Sequence, residues 1–475
     1  VKNPDAQTHG QIYFHDIGDY LSREEKLNIV QKYGSMTNMP WQELTPNEHG
    51  DWISMRNESF DTFIPLAPEK KFDLKTESVF VVNGPGILSS RDSWVFNYSQ
   101  KKLNTNVKSM LDFYNDQCST YKETKVKNNA LDINSFIDSN PKKISWTRAL
   151  KKDLEKNVIH EHKIESLTFS AYRPFCKQHL FYEKAVIESQ GISSQLFPNK
   201  KNGNILISLS STGSQKGLSL LATNIIADYH LAGDTQCFPL YFYEENTSAQ
   251  TGLFDEAGAG DYIRRDAISD FILERANKQY GTSATLSGRI TKEDIFYYVY
   301  GFLHSKDYRE TFANDLKKML PRLPLVEDVK DFWAFSKAGR QLADLHLNYE
   351  SVPAHEALQV SGDDGKSYRV EKMRFPTGKK AKDRPDTILY NNKITVSNIP
   401  EKAYDYIVNG KSAIEWIMER YAITTHKDSG ITNDPNDWAD EVGNPRYILD
   451  LLLSIINVSV QTVQIVKGLP GVKFD

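Results

Sequence analysis

The hydrophobic positions change period along the chain, and those changes mark out its organisation. Near the start, Ser22 precedes apolar positions at helical spacing with Glu25 three residues on, which predicts a capped helix through Lys32. Short β-branched and aromatic runs then dominate, and Val79 to Val82, Leu167 to Ser170, Ile205 to Leu209, Ile225 to Asp228 and Phe238 to Tyr243 read as strands. One helix, Val107 to Lys125, interrupts them. The polar passage Glu244 to Gly260 reads as an exposed loop. Beyond it, apolar residues recur at three- and four-residue steps in Tyr262 to Gln279, Lys292 to Leu303 and Asp307 to Leu320. Pro321 and Pro324 end the last of these, and a further helix runs through Leu345. Strands return between Ser367 and Val396, and helices follow at Glu401 to Val408, Ala413 to Tyr421 and Arg446 to Lys467. The pattern predicts an α+β fold: a largely antiparallel sheet region with an inserted helical module and C-terminal helices.

Composition narrows the class. With 39% hydrophobic and 25% charged residues the 475-residue chain is globular, and no uninterrupted apolar run reaches the ~18 residues of a membrane helix. No membrane partner is expected. Cys118, Cys176 and Cys237 are few, scattered and odd in number, which fits a reducing cytoplasm. The chain opens on Val1 without a signal peptide, as expected of a piece of a longer polypeptide.

The net charge of -4 excludes a uniformly basic nucleic-acid protein. Its distribution matters more. Pro141 to Lys163 carries seven Lys or Arg against three acids, and Arg369 to Arg384 seven against two, whereas Asp428 to Glu441 is almost purely acidic. Lys142 and Lys143 in the first basic segment, and Arg374, Lys379, Lys380 and Lys382 in the second, are candidate phosphate contacts. The alternative for both is a solvated face.

The densest chemistry lies in Gly86-Ile-Leu-Ser-Ser-Arg-Asp-Ser-Trp-Val-Phe-Asn97, where hydroxyls, a guanidinium and a carboxylate follow Gly84-Pro85-Gly86. It reads as a turn exposed at a sheet's rim. Ser89, Ser90, Arg91 and Asp92 then either read base edges or, as an Arg91–Asp92 pair, merely close a turn. In Tyr172-Arg-Pro-Phe175, followed by Lys177, the arginine between aromatics is a base or phosphate contact or an Arg stacked on Tyr172 in a structural corner. Ser211-Thr-Gly-Ser-Gln-Lys-Gly217 lacks phosphate-loop spacing, though its amides and Lys216 suit a phosphate. Trp41, Trp52, Trp333 and Trp416 read as core, and Trp94 as a buried anchor.

These stretches fall in an ordered series that resembles the C-terminal specificity region of single-chain type ISP restriction-modification enzymes. Gly86 to Asn97 is similar to the signature Gly-[Ile/Val]-x-Thr-[Gly/Asn]-Arg-Asp-x-Trp-Val-Tyr-Asn, with Ser89-Ser90 in place of Thr-Gly or Thr-Asn. Further blocks are Phe14 to Leu27, Trp41 to Ile53, Tyr172 to Gln178, Asp294 to Ser305, Gly339 to Glu350 and Val408 to Trp416. The resemblance implies a domain that directs a fused adenine methyltransferase and helicase-nuclease to an asymmetric double-stranded DNA target. It also implies four parts: the end of the methyltransferase domain or a linker (1–66), a β-rich recognition subdomain (67–245), a helical module (246–345) and a second α+β part (346–475).

The residues themselves offer no catalytic centre. An Asn/Asp-Pro-Pro-aromatic loop for amino methylation is missing, and Gly258-Ala-Gly260 is a lone Gly-x-Gly. Glu24-Glu-Lys26 and Glu69-Lys-Lys71 match a nuclease Glu-x-Lys without the adjoining acids. His160-Glu-His162 lacks a third metal ligand and reads as a solvated helix end. No cofactor is expected in this chain, and S-adenosylmethionine, ATP and Mg are expected only for other domains of the polypeptide. An unrecognised hydrolase, or a scaffold that uses the helical module to hold the methyltransferase, remain as alternatives.

Overall fold

The computed structural model describes residues 10–18, 21–214, 216–246, 261–281 and 289–474. Most of the passage read as a loop, including Gly258-Ala-Gly260, lies outside them. Two compact units are present, Val1–Asn57 and Glu58–Asp475.

The smaller unit holds the helix Arg23–Tyr33 and a strand pair, Ile12–Phe14 with Gln42–Leu44. The capping box forms, with Ser22 Oγ accepting from Glu25 N at 3.3 Å and Glu25 Oε2 accepting from Ser22 N at 2.8 Å. So short a unit has little interior: none of the helix is buried, and Trp41 and Trp52, expected in a core, are 38% and 62% exposed.

The larger unit is α+β. One sheet runs Ile226–Ala227, Leu167–Arg173, Cys176–Phe181, Phe96–Asn97, and a second runs Gly84–Pro85, Thr235–Pro239, Leu206–Ser210, Leu220–Thr223. All their pairings are antiparallel except Ile226–Ala227 on Leu167–Arg173. Every residue of Leu206–Ser210 is buried, Ser208 and Ser210 included, as in a strand covered on both faces. Against the first sheet lies the long helix Gln100–Lys127, started by Ser99 and burying Leu103, Val107, Met110, Leu111 and Tyr114 on one face.

Several elements differ from the sequence expectation; Phe238 to Tyr243, read as one strand, divides at Leu240 between Thr235–Pro239 and Tyr241–Glu245, which pair in different sheets. Val79 to Val82 is buried but makes only isolated bridges, Phe80 to Ile268 and Val82 to Phe72. Tyr262 to Gln279 splits into a strand, Tyr262–Asp266, paired with Tyr241–Glu245, and a helix, Asp270–Tyr280, because Ser269 Oγ caps Ile272 N and starts the helix there. Asp307 to Leu320 breaks into the short helices Lys306–Thr311 and Asp315–Lys318. Glu401 to Val408 is a 3-10 turn, Glu401–Tyr404, followed by a hairpin, Ile407–Val408 with Lys411–Ser412. Asn409 and Gly410 turn that hairpin with φ of 48° and 77°, a two-residue turn that outweighs the helical period before it.

The helices Lys292–Phe302 and Val329–Leu347 pack closely in the core. Glycines set the approach: a Cβ on Gly301 would lie 2.1 Å from Phe335 O, and one on Gly339 1.9 Å from Tyr297 O. Arg340 seals the rim, its guanidinium 4.3 Å from the Tyr297 ring centroid and its Nη2 2.8 Å from Asp294 Oδ1. The helix Tyr447–Lys467 is apolar and long enough to cross a membrane, yet 72% of its most apolar window is buried inside the protein. Its polar groups are satisfied there, Thr462 Oγ1 by His346 Nε2 at 3.0 Å and Asn457 Nδ2 by Pro353 O at 2.7 Å.

The crossing gives a stability prediction. Gly339→Ala must push the two helices apart and is expected to cost about 1–3 kcal/mol or more, read from the urea midpoint. An unchanged midpoint would show that the pair relaxes freely.

Candidate nucleic-acid interface

The loop from Gly86 starts at a sheet's edge but is packed inward rather than exposed. Gly84–Pro85 is the edge strand of the second sheet, and Gly86 is pressed so tightly on the next segment that a Cβ would lie 2.7 Å from Ala227 O and 2.8 Å from Asp228 O. After Ile87, buried Ser89 Oγ bonds the Asp92 carboxylate and accepts from Arg91 N at 3.1 Å, folding the chain into one helical turn, Asp92–Val95. Ser90 alone is exposed, at φ 56°. That left-handed position favours Gly or Asn, the two residues of the resembled signature, so Ser90 is the strained substitute.

Arg91 is 4% exposed and points inward. Its Nη2 donates to Thr147 Oγ1 at 2.6 Å, while Nε and Nη1 have no partner. Burial pushes its pKa down to about 10 against the pull of Glu188. Thr147 also caps the helix Arg148–Glu155, so Arg91 ties the loop to the first basic segment, and in this arrangement it offers nothing to a base edge.

Asp92 faces the other way, into a cluster with the Tyr172 block. Tyr172 OH donates to Asp92 Oδ2 at 3.0 Å, and Arg173 reaches Asp92 Oδ2 at 3.3 Å and Asp228 Oδ1 at 2.6 Å. The guanidinium stacks 3.9 Å from the Tyr172 ring centroid, the geometry of an arginine braced in a corner. Asp228, which sequence reasoning passed over, is the deepest member at 1% exposure. Burial lifts its pKa to about 7 despite the pull of Arg173, because a desolvated carboxylate beside Asp92 is relieved by keeping its proton. Lys177 leaves the cluster for Glu350 at 2.7 Å.

The remaining predicted cations are dispersed. Lys142 and Lys143 are exposed, Lys143 paired with Asp138 at 2.8 Å. Lys216 is exposed and lines a separate cavity with Lys306, Arg309 and Lys467. His160 Nε2 meets Asp153 Oδ2 at 3.1 Å just beyond the helix Arg148–Glu155. Arg374 is better placed, in an open groove of about 560 Å³ with Arg369, Lys372, Asn391 and Asn392. Arg369 is paired with Asp434 at 2.9 Å, whereas Lys372 and Arg374 form no ion pair among the described residues. Lys379, Lys380 and Lys382 stand exposed on the turn that follows.

Ile423, on the groove's wall, leads into a hairpin, Thr424–Thr425 with Thr432–Asn433. The hairpin also borders a cavity of about 360 Å³ lined by Asp92, Ser93, Tyr172, Gln178, His426 and Lys427. The hairpin is tied to the signature loop: Tyr98 N donates to Asn433 Oδ1 at 2.8 Å, Asn97 Nδ2 to Thr432 O at 3.3 Å, and Ser429 Oγ to Ser93 Oγ at 3.4 Å. His426 Nδ1 accepts from Ser429 N at 3.2 Å, so the proton of the neutral ring sits on Nε2 as a donor. Sequence reasoning saw only the acidic run here, although Asp428-Ser-Gly430 between threonine-rich stretches is a hairpin signal.

With this geometry in place, comparison with known proteins is specific. A family model, the Type ISP C-terminal specificity domain, matches residues 78–451. The chain belongs to that family. The specificity domain is also similar to solved structures: a nuclease-deletion mutant of the Type ISP restriction-modification enzyme LlaGI in complex with a DNA substrate mimic (TM-score 0.81, 35% identity, 99% of this chain and 40% of that one). The ATP-dependent Type ISP enzyme LlaBIII bound to DNA matches at TM-score 0.83 and 35% identity, over 100% of this chain and 28% of that one. The DrdV–DNA complex matches at 0.78 and 26%, over 98% and 44%. The chain thus spans less than half the length of each. Comparison with curated protein sequences gives no match.

Asp228 provides a pH test within the domain. Its folded pKa stands above the ordinary 3.8, so the stability it contributes is present in acid and lost as pH rises towards about 7. Asp228→Asn removes that loss, and melting at about pH 5 and about pH 8 should show wild type falling relative to the variant at the higher pH. The opposite trend would mean that attraction to Arg173 outweighs desolvation.

Proposed function

We propose that this specificity domain recognises a defined double-stranded DNA sequence and so directs the activities of a Type ISP restriction-modification enzyme. The observation that carries the reading is the open groove where Lys372 and Arg374 form no ion pair among the described residues, beside an exposed hairpin, in a chain whose structural relatives are DNA complexes. Lys372, Arg374, Lys379, Lys380 and Lys382 meet phosphates, while Lys142 and Lys143 add a second, weaker patch. The hairpin has the dimensions of a two-stranded ribbon that a major groove admits, with His426 Nε2 and Lys427 Nζ as donors to base edges. Ser89, Arg91, Asp92, Tyr172 and Arg173 act one layer back, holding the hairpin's base. Chemistry belongs to other parts of the polypeptide: a methyltransferase domain using S-adenosylmethionine, and an ATP- and Mg-dependent helicase-nuclease, working on cytoplasmic DNA. The helical module favours no separate scaffold role, since Ile295 through Phe302 are all buried.

Phosphate neutralisation is read through salt. Changing Lys372 and Arg374 to Ala together should weaken all duplexes alike and reduce the slope of log affinity against log salt by roughly 0.9 for each phosphate no longer neutralised. A triple change of Lys379, Lys380 and Lys382 should do the same. Unchanged slopes would return both segments to solvated faces.

Discrimination is read with single-base variants of the target. His426→Ala should lose about 0.5–1.5 kcal/mol of preference at one position, as expected for a single base-edge hydrogen bond. Arg91→Met should leave relative affinities unchanged while altering stability. If Arg91→Met relaxes one base position and His426→Ala does not, the buried arginine swings out on binding and the hairpin is a bystander.

A further inference from the structure

A further cavity lies apart from the groove and the hairpin. It has a volume of about 410 Å³ and sits where the hairpin Ile407–Val408/Lys411–Ser412, the short helix Lys306–Thr311 and the helix Tyr447–Lys467 meet. Four cations line it, Lys216, Lys306, Arg309 and Lys467, against two carboxylates. Both carboxylates are engaged: Glu310 faces Lys306 at 3.7 Å, and Asp405 is held by Arg384 at 2.7 Å. Arg309 is largely buried, bonds the Leu218 carbonyl, and forms no ion pair among the described residues. Burial accordingly holds its basicity below that of an ordinary arginine. A buried guanidinium without a counter-charge is costly, and such groups are normally paired.

Two further side chains on the cavity wall are unsatisfied. His304 and Tyr406 are 4% and 7% exposed, and neither His304 Nε2 nor the Tyr406 hydroxyl has a hydrogen-bond partner. His304 Nδ1 lies 2.7 Å from Tyr300 O, so Nδ1 carries the proton and Nε2 presents a lone pair. The site therefore combines a phenolic donor, a guanidinium, Lys216 and Lys467, a third lysine shared with Glu310, and the lone pair of His304 Nε2 beside two carboxylates already engaged.

We propose that this cavity binds a phosphate group in its monoester or hydrogen-phosphate form. Arg309 and the Tyr406 hydroxyl donate to its oxygens, the lysines neutralise it, and a P–OH donates to His304 Nε2. A backbone phosphodiester has no such proton. The space exceeds one phosphate and leaves room for the group that carries it, which makes inorganic phosphate, a nucleotide or a DNA 5′ end the sources of this chemistry. Of the described residues in Ser211 to Gly217, Lys216 lines the cavity, while Gly213 N is spent on Lys317 O at 2.7 Å. The Lys216 stem packs over Gly410, where a Cβ would lie 2.7 Å from its Cδ, and this holds the lysine beside the cavity.

The test is calorimetric titration of the full chain with inorganic phosphate, with AMP, and with duplexes bearing 5′-phosphate or 5′-hydroxyl ends, at constant ionic strength in chloride. Saturable one-to-one binding of phosphate or AMP is expected, and whichever ligand binds tightest identifies the source. Lys216→Ala with Lys467→Ala, at exposed positions, and Tyr406→Phe should each weaken it about tenfold or more, the scale of one charge-assisted hydrogen bond. Arg309→Met should abolish it, and if that variant fails to fold the other two still decide. No binding beyond chloride, or binding by the lysine and Tyr406 variants equal to that of wild type, overturns the site. Binding of 5′-hydroxyl duplexes by the lysine variant reports on the DNA groove separately, so the two readings fail independently.

Discussion

The arrangement of the signature loop and the hairpin beside it depends on one guanidinium. Arg173 is gripped by Asp92 and Asp228 and stacked on Tyr172, and those interactions join the signature loop, the strand pair Leu167–Arg173/Cys176–Phe181 and the segment after Ile226–Ala227. Two carboxylates around one cation would leave a net negative charge out of water. A proton on Asp228 near neutral pH relieves it, so the cluster is held by hydrogen bonding as much as by charge. Losing one partner from such a buried pair costs about 3–5 kcal/mol, enough to loosen everything tied to it. The hairpin Thr424–Asn433 is among those things, since it leans on Ser93, Asn97 and Tyr98 immediately after Asp92.

Much of the architecture was legible where local signals agreed with each other. The capping box at Ser22 and the strand Leu206–Ser210 followed their local signals, whereas the helix read as Val107 to Lys125 runs over Gln100–Lys127, with its start fixed by the Ser99 cap. The failures came where a short-range signal overrode a period. Asn409-Gly410 made a hairpin out of an apparent helix, and the Ser269 cap divided another. The two tryptophans Trp41 and Trp52 lie exposed because hydrophobicity alone does not say whether a core exists around a residue.

The site was legible as a set of blocks but not as a surface. Ser89, Asp92, Tyr172 and Arg173 do converge, although they are about eighty positions apart in the chain. Which side of that convergence faces solvent was not written in residue type, because an arginine beside an aspartate serves equally as a reader or as a brace. Asp228 is a lone acid in an apolar strand, and only the pairing of Ile226–Ala227 with Leu167–Arg173 brings it under Arg173. The groove at Lys372 and Arg374 lies in a segment already marked as basic, and the structure adds which of its charges are uncommitted.

The buried helix Tyr447–Lys467 has a bearing on how the protein is made. It packs on Val329–Leu347, on Ala413–Arg420 and on the turns at Tyr349–Ser351 and Glu401–Tyr404, with a mean hydropathy of 1.6 over its most apolar stretch. During synthesis those four surfaces leave the ribosome before the segment that covers them. The nascent chain therefore carries an open apolar cleft until residue 467 has emerged, and the helix itself is sticky enough to find other partners on the way. Quality control by chaperones would act on that interval, and the speed of translation across the last turns of the helix would set how long it lasts.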